Sequence, residues 1–230
     1  MSVSRTRQID PPMHWRAAAV VALGLAGALV PGGAARPVGA AEESVRILAF
    51  GDSLVHGYGL PAGVSFPAQL QAALAARGYH VTVLNGGNSG DTTAGGRARL
   101  DWMLADKPDA VLIELGANDA LRGLAPEQAY GNLDAILARL RADGVPVLLT
   151  GMLAPRNMGA DYAAAFDAIY PRLAQAYGTL FYPFFLDGVA MDPALNQDDG
   201  IHPNARGVAV IVERMLPSVI RLIERARGDG

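Results

Sequence analysis

The 230-residue chain contains no cysteine. Disulfides, cysteine-built metal clusters and a lipid-modified cysteine are therefore excluded. An oxidising compartment stays open to it, because such compartments permit disulfides without requiring them. Net charge is −3 and the cationic residues form no long run, which argues against a nucleic-acid partner. The apolar run at residues 17–30 is too short for a comfortable membrane span. No internal repeat or low-complexity tract follows Ala41. Histidine is scarce, with only His14, His56, His80 and His202 to serve as a base. Two glycine patterns are also missing. Val55, not glycine, stands two residues after Ser53, so the usual nucleophile elbow of α/β-hydrolases is ruled out. The first turn lacks the glycine spacing of a dinucleotide site.

What is present is an ordinary globular composition, 51% hydrophobic with 27 glycines and 15 prolines. At the N-terminus, Arg5, Arg7 and Arg16 precede or flank the apolar run, and small residues lead to VGAAEE at residues 38–43. Together they read as a secretory signal peptide over residues 1–40, cleaved after Ala40 or Ala41. An uncleaved membrane anchor is the alternative reading. Cleavage would leave one domain at residues 41–230, periplasmic or secreted, with no stable membrane span.

Within that domain, apolar runs predict strands at residues 45–50, 81–84, 110–115, 145–150 and 179–182. Helical spacing predicts helices at residues 65–77, 92–104, 126–142, 162–177 and 205–225, the last bent or interrupted at Pro217. The alternation of strand and helix implies parallel βαβ units with right-handed crossovers.

Four polar blocks interrupt this alternation. GDSL begins at Gly51, NGGNSGDT at Asn85, GAND at Gly116 and DDGIHPN at Asp198. The first three follow strands, and in a parallel sheet those strand ends share one edge. Ser53 is a nucleophile candidate there, with a helix cap as its other reading. His202 is the candidate base. Asp199, three residues before it, can reach back to orient the imidazole. His56 is a rival by proximity but has no evident carboxylate partner. An oxyanion needs donors, and the Ser53 and Gly90 N–H groups and the Asn118 side-chain amide can supply them. Asp52 is assigned to loop hydrogen bonding, and Asp119 to shaping its own loop.

GDSL, SGDT, GAND and DGIHP, in that order, resemble the four motif blocks of the SGNH (GDSL) hydrolases. The closer similarity, in ELGANDALRG, AIYPRLA, PFF and QDDGIHPN, is to bacterial arylesterases and the secreted thioesterase I/lysophospholipase L1 group. The resemblance implies an α/β fold, a three-layer α/β/α sandwich on a five-stranded parallel sheet of order 2-1-3-4-5. It also implies Ser53 as nucleophile and first oxyanion donor, Gly90 and Asn118 as the other donors, His202 as base and Asp199 as its orienting acid. No metal or cofactor is expected.

The expected partner is a small-molecule ester or thioester. An aryl or short-to-medium acyl ester would be cleaved through an acyl-enzyme. Leu121, Leu124, Met152, Met158 and Phe184 are candidates for the substrate pocket, with Leu153 and Phe185 beside them; core packing is the alternative, and accounts at least as well for Phe184 and Phe185. The alternatives are acyl-CoA thioesterase or lysophospholipase activity, carbohydrate O-acetylesterase activity, and a non-catalytic envelope binding protein on the same fold. The loops show no aromatic sugar platform.

Overall fold

A computed structural model describes residues 44–228 of the chain. The expected signal peptide lies outside the described residues. Five parallel strands, β1 (Val45–Gly51), β2 (Val81–Gly87), β3 (Ala110–Glu114), β4 (Val147–Thr150) and β5 (Leu180–Tyr182), form a sheet in the order β2-β1-β3-β4-β5. In β1 only Arg46 is exposed, and all of β3 is buried. Such runs fit central strands covered on both faces. The edge strand β2 is only partly buried.

The helices are α1 (Ser53–His56), α2 (Phe66–Ala75), α3 (Thr93–Leu104), α4 (Ala117–Leu121), α5 (Pro126–Ala142), α6 (Ala160–Asp167), α7 (Ile169–Tyr177) and α8 (Ala205–Arg227). On one side of the sheet α2 packs against α8, while α5 packs against both α3 and α7. This completes the three layers. One continuous core joins strand residues such as Ile47, Phe50 and Leu112 to Leu70, Leu133, Leu173 and Val219 from the helices.

Several boundaries differ from the sequence expectation. The segment expected as one helix at residues 162–177 is two, α6 and α7, meeting at Ala168. Pro171 lies in the first turn of α7, where a residue without an N–H costs least. α8 continues through Pro217 without interruption, with Met215, Leu216 and Val219 buried around the proline. β4 starts only after Pro146, which cannot donate to the ladder. β2 runs three residues further than expected, because Asn85, Gly86 and Gly87 pair with Ala49, Phe50 and Gly51. Glycine is required at 87 by close approach, since a Cβ there would stand 2.1 Å from the His56 nitrogen.

Register fixes the site. Gly51 at the end of β1 is level with Gly87 of β2 and Glu114 of β3. From β1 the chain returns to β2 on one side, whereas β3 lies on the other. The residues that follow these three strand ends therefore converge on a topological switch point, where open parallel sheets place ligands.

Candidate active site

The short helix α1 starts directly at the end of β1. Its N-cap is Asp52, whose Oδ1 accepts the Leu54 N–H at 3.0 Å. Ser53 is thus the first helical residue and not the cap, which leaves its hydroxyl free for another partner. That partner is His202, with Nε2 at 2.9 Å from Ser53 Oγ.

His202 sits in the loop that leads into α8, whose N-cap is Asn204. Asp199 folds this loop. Its Oδ1 accepts the Ile201 and His202 N–H groups at 2.9 and 3.0 Å, and its Oδ2 faces His202 Nδ1 at 2.7 Å. The His202 N–H first, then the imidazole and the Ile201 N–H, pull the Asp199 carboxyl down to about 2. The Tyr58 ring lies 4.7 Å from the imidazole, centre to centre. Gln197 fastens the loop to the Tyr58 carbonyl at 2.8 Å.

Opposite stand the candidate donors. Gly90 takes φ +86°, a left-handed conformation that favours glycine. Its carbonyl accepts from Arg122 Nη2 at 2.8 Å. The neighbouring Asp91 carboxylate accepts from Asn88 Nδ2 at 2.7 Å and from Arg99 Nε at 2.5 Å. Arg99 also donates to the Gly51 carbonyl at 2.8 Å and lies over the Phe50 ring. One guanidinium therefore ties the end of β1 to the loop after β2. Asn118, in α4, gives its amide hydrogens to Asp52 Oδ2 at 3.1 Å and to the Asp91 carbonyl at 3.0 Å. The backbone N–H groups of Ser53 and Gly90 have no backbone or side-chain acceptor among the described residues.

Two acids are buried behind this surface. Asp52 and Glu114 are both fully inaccessible. Burial pushes the Asp52 carboxyl up to about 6 and lifts Glu114 well above its ordinary range, with the Asp52 charge adding to the effect on Glu114. From the sequence, Glu114 is expected only as part of a strand and Asp52 only in loop hydrogen bonding. The available signal was a lone carboxylate closing the otherwise apolar run AVLIE.

A cavity of about 180 Å³ opens beside Ser53, Asn118 and His202. Of the expected pocket residues, Leu121 and Met152 line it, as does Leu153. Leu124, Met158 and Phe184 do not. Leu124 gives its carbonyl to Tyr162, Met158 lies against Gly123, and Phe184 packs on the core. Phe185 is buried against Phe66. Leu54, Leu186 and Ile201 line the cavity unforeseen. His56 is exposed, with Nδ1 on the Gly87 carbonyl at 3.3 Å, and His80 is exposed ahead of β2. Asp119 accepts both the N–H and the hydroxyl of Thr93, joining α4 to α3. Among the described residues, no group of three or more His, Asp or Glu side chains is placed to hold a metal ion.

The chain is 40% identical over 183 residues to an arylesterase of Vibrio mimicus, covering 79% of this chain and 92% of that one. It is 39% identical over 185 residues to thioesterase 1/protease 1/lysophospholipase L1 of Escherichia coli K12, covering 80% and 86%. Among solved structures, AlinE4, an SGNH-hydrolase family esterase, is 49% identical with a TM-score of 0.67, covering 78% of this chain and 96% of that one. The pattern of one family extends over residues 49–210 and so takes in all four polar blocks. On that span and these relatives, the chain belongs to the GDSL-like lipase/acylhydrolase family.

Proposed function

We propose that the protein is a carboxylic-ester hydrolase that cleaves aryl or short-to-medium acyl esters through an acyl-enzyme on Ser53. The observation that carries this reading is the unbroken hydrogen-bonded chain from Asp199 through His202 to Ser53, at 2.7 and 2.9 Å. It orders a carboxylate, an imidazole and a hydroxyl as nucleophilic catalysis requires. Asp199 Oδ2 accepts a hydrogen bond from Nδ1–H and so leaves the Nε2 lone pair facing the serine. As Ser53 Oγ bonds to the ester carbonyl carbon, its proton passes to Nε2 and the carbonyl π pair moves onto oxygen. The Ser53 and Gly90 N–H groups receive that oxyanion. Asn118 joins them by turning one amide hydrogen away from the Asp91 carbonyl. Collapse expels the alkoxide or phenoxide, which takes the proton from His202. Water, deprotonated by the same imidazole, then releases the acid and restores Ser53.

The cavity supports small substrates, since about 180 Å³ is well below the roughly 300–1,000 Å³ of sites for drug-sized ligands. A thioesterase or lysophospholipase activity is the second reading. Leu121, Leu153 and Ile201 are 50%, 38% and 47% exposed at the cavity, an apolar rim on which a longer acyl chain could lie. One relative carries both activities in its name. The N-terminal pattern supports export to the periplasm or beyond, with residues 1–40 removed as a signal peptide and residues 41–230 as the mature domain. No helix among the described residues is long and apolar enough to cross a membrane.

The test is a panel of short and long p-nitrophenyl esters, palmitoyl-CoA, lysophosphatidylcholine and acetylated sugars, with Ser53→Ala as control. Short esters should be turned over fastest, and Ser53→Ala should be inactive while folded. Normal hydrolysis by folded Ser53→Ala would remove the nucleophile from this assignment.

A further inference from the structure

Glu114 is the last residue of a strand whose other side chains are all aliphatic, and the catalytic sequence above gives it no step. Space has been kept for it. A Cβ on Gly51 would stand 2.6 Å from Glu114 Oε2, so the glycine that ends β1 leaves room for this carboxyl. Oε2 accepts the Asp52 N–H at 3.2 Å. Oε1 is buried and has no hydrogen-bond partner.

An ionised Glu114 would be a fully buried charge holding one weak N–H contact, beside a second buried carboxyl. That arrangement is among the most costly in a protein interior. Protonation removes the conflict, because the acid can then donate to the Asp52 carboxylate. Asp52 already has two donors in the structure, the Leu54 N–H on Oδ1 and the Asn118 amide on Oδ2, and a protonated Glu114 would add a third.

Resting on the acyl-enzyme reading, we propose that Asp52 and Glu114 form a one-proton carboxyl pair that positions the Asn118 amide for the oxyanion, with Glu114 as the neutral member. A single negative charge on the pair serves two ends. It holds one Asn118 hydrogen so that the other can swing from the Asp91 carbonyl to the substrate. It also faces His202, whose protonated form favours the Asp52 anion. Two charges here would oppose the developing oxyanion, and none would leave Asn118 without a charged acceptor. The other polar groups around the pair are Tyr170, whose hydroxyl is committed to the Leu115 carbonyl, Asp119, held by Thr93, and Arg99 on the Gly51 carbonyl. Asp52 and Glu114 are positioning residues, since neither reaches the reacting atoms.

The experiment compares wild type with Glu114→Gln, Glu114→Leu and Asp52→Asn. It measures kcat and KM on a short p-nitrophenyl ester across pH, with circular dichroism for folding and organophosphonate labelling of Ser53. Gln can donate to Asp52 and accept its N–H as the acid does, so kcat should stay within about threefold of wild type. Leu can do neither, and kcat should fall about tenfold or more with KM little changed, by analogy with other displaced oxyanion donors. In Asp52→Asn the pair has no charge with which to hold Asn118, and kcat should likewise fall about tenfold or more. Wild-type kcat in Glu114→Leu, or a loss in Glu114→Gln as large as in Glu114→Leu, overturns the proposal. Should Glu114→Leu fail to fold, wild-type kcat in folded Asp52→Asn overturns it instead. Absence of labelling in wild type would strike the acyl-enzyme reading itself, whereas normal labelling with unaltered kinetics in the variants strikes only the pair.

Discussion

Asp199→Asn separates charge from geometry at the base. In the wild type, Asp199 uses Oδ1 for two backbone N–H groups and Oδ2 for the imidazole. An asparagine here has one acceptor oxygen, and the Ile201 and His202 N–H groups claim it. Its NH₂ must then point at His202 Nδ1, which can only accept. The imidazole proton is driven to Nε2, where it faces Ser53 Oγ and blocks proton uptake. The same inversion in serine-protease triads lowers kcat by about 10⁴-fold. That corresponds to about 5.4 kcal/mol of barrier at roughly 1.36 kcal/mol per tenfold. Nothing in the backbone of the 197–204 loop has to move, so the variant should fold normally and KM should change little. The assay is kcat for p-nitrophenyl butyrate near neutral pH, with far-UV circular dichroism and Tm as controls. Folded Asp199→Asn retaining more than about a tenth of wild-type kcat would refute the tautomer argument. So would Asp199→Asn clearly outperforming Asp199→Ala, which leaves the imidazole free to choose its tautomer.

Asn118→Ala removes one of three proposed oxyanion donors and should lower kcat by about 10²–10³-fold, read by steady-state kinetics. An unchanged kcat would remove Asn118 from that role. Stability should carry a signature of Asp52, which burial raises from its ordinary 3.8 to about 6. The folded state then holds the proton more tightly than the unfolded chain. Its contribution is therefore fully present below about pH 4 and is lost as pH rises through about 6. Relative to Asp52→Asn, wild-type Tm should fall between about pH 4 and 7, and a pH-independent difference would contradict the burial of an ionisable Asp52.

Much of this architecture was legible because the strands are short apolar runs and the polar blocks interrupt them at their ends. Val45–Gly51 and Ala110–Glu114 are buried on both faces, and their sequences show no polar alternation. Periodicity could not show α1 and α4, with four and five residues, because neither spans two turns. Ser53 consequently read as a cap or a nucleophile, while the adjacent Asp52 takes the capping role. Asp199 and His202 were readable together because three residues of loop suffice to close their contact. Long-range partners were not. Arg99 and Asp91 meet Gly51 and Asn118 only once the register of β1, β2 and β3 is set. The pocket walls failed for a related reason. Hydrophobicity marked Leu124 and Phe184 as readily as Leu121, but loop direction decides which of them faces the cavity.

The sheet order has a consequence for the timing of assembly. Ser53, Gly90 and Asn118 precede β4 in the chain, whereas Asp199 and His202 come just before α8. α8 packs on α2 and closes one side of the sheet. A chain emerging from its N-terminus therefore presents the proposed nucleophile and its proposed donors before the proposed base. On the proposed mechanism, Ser53 can react only once the loop before α8 has brought His202 to it, so the onset of esterase activity would report that docking.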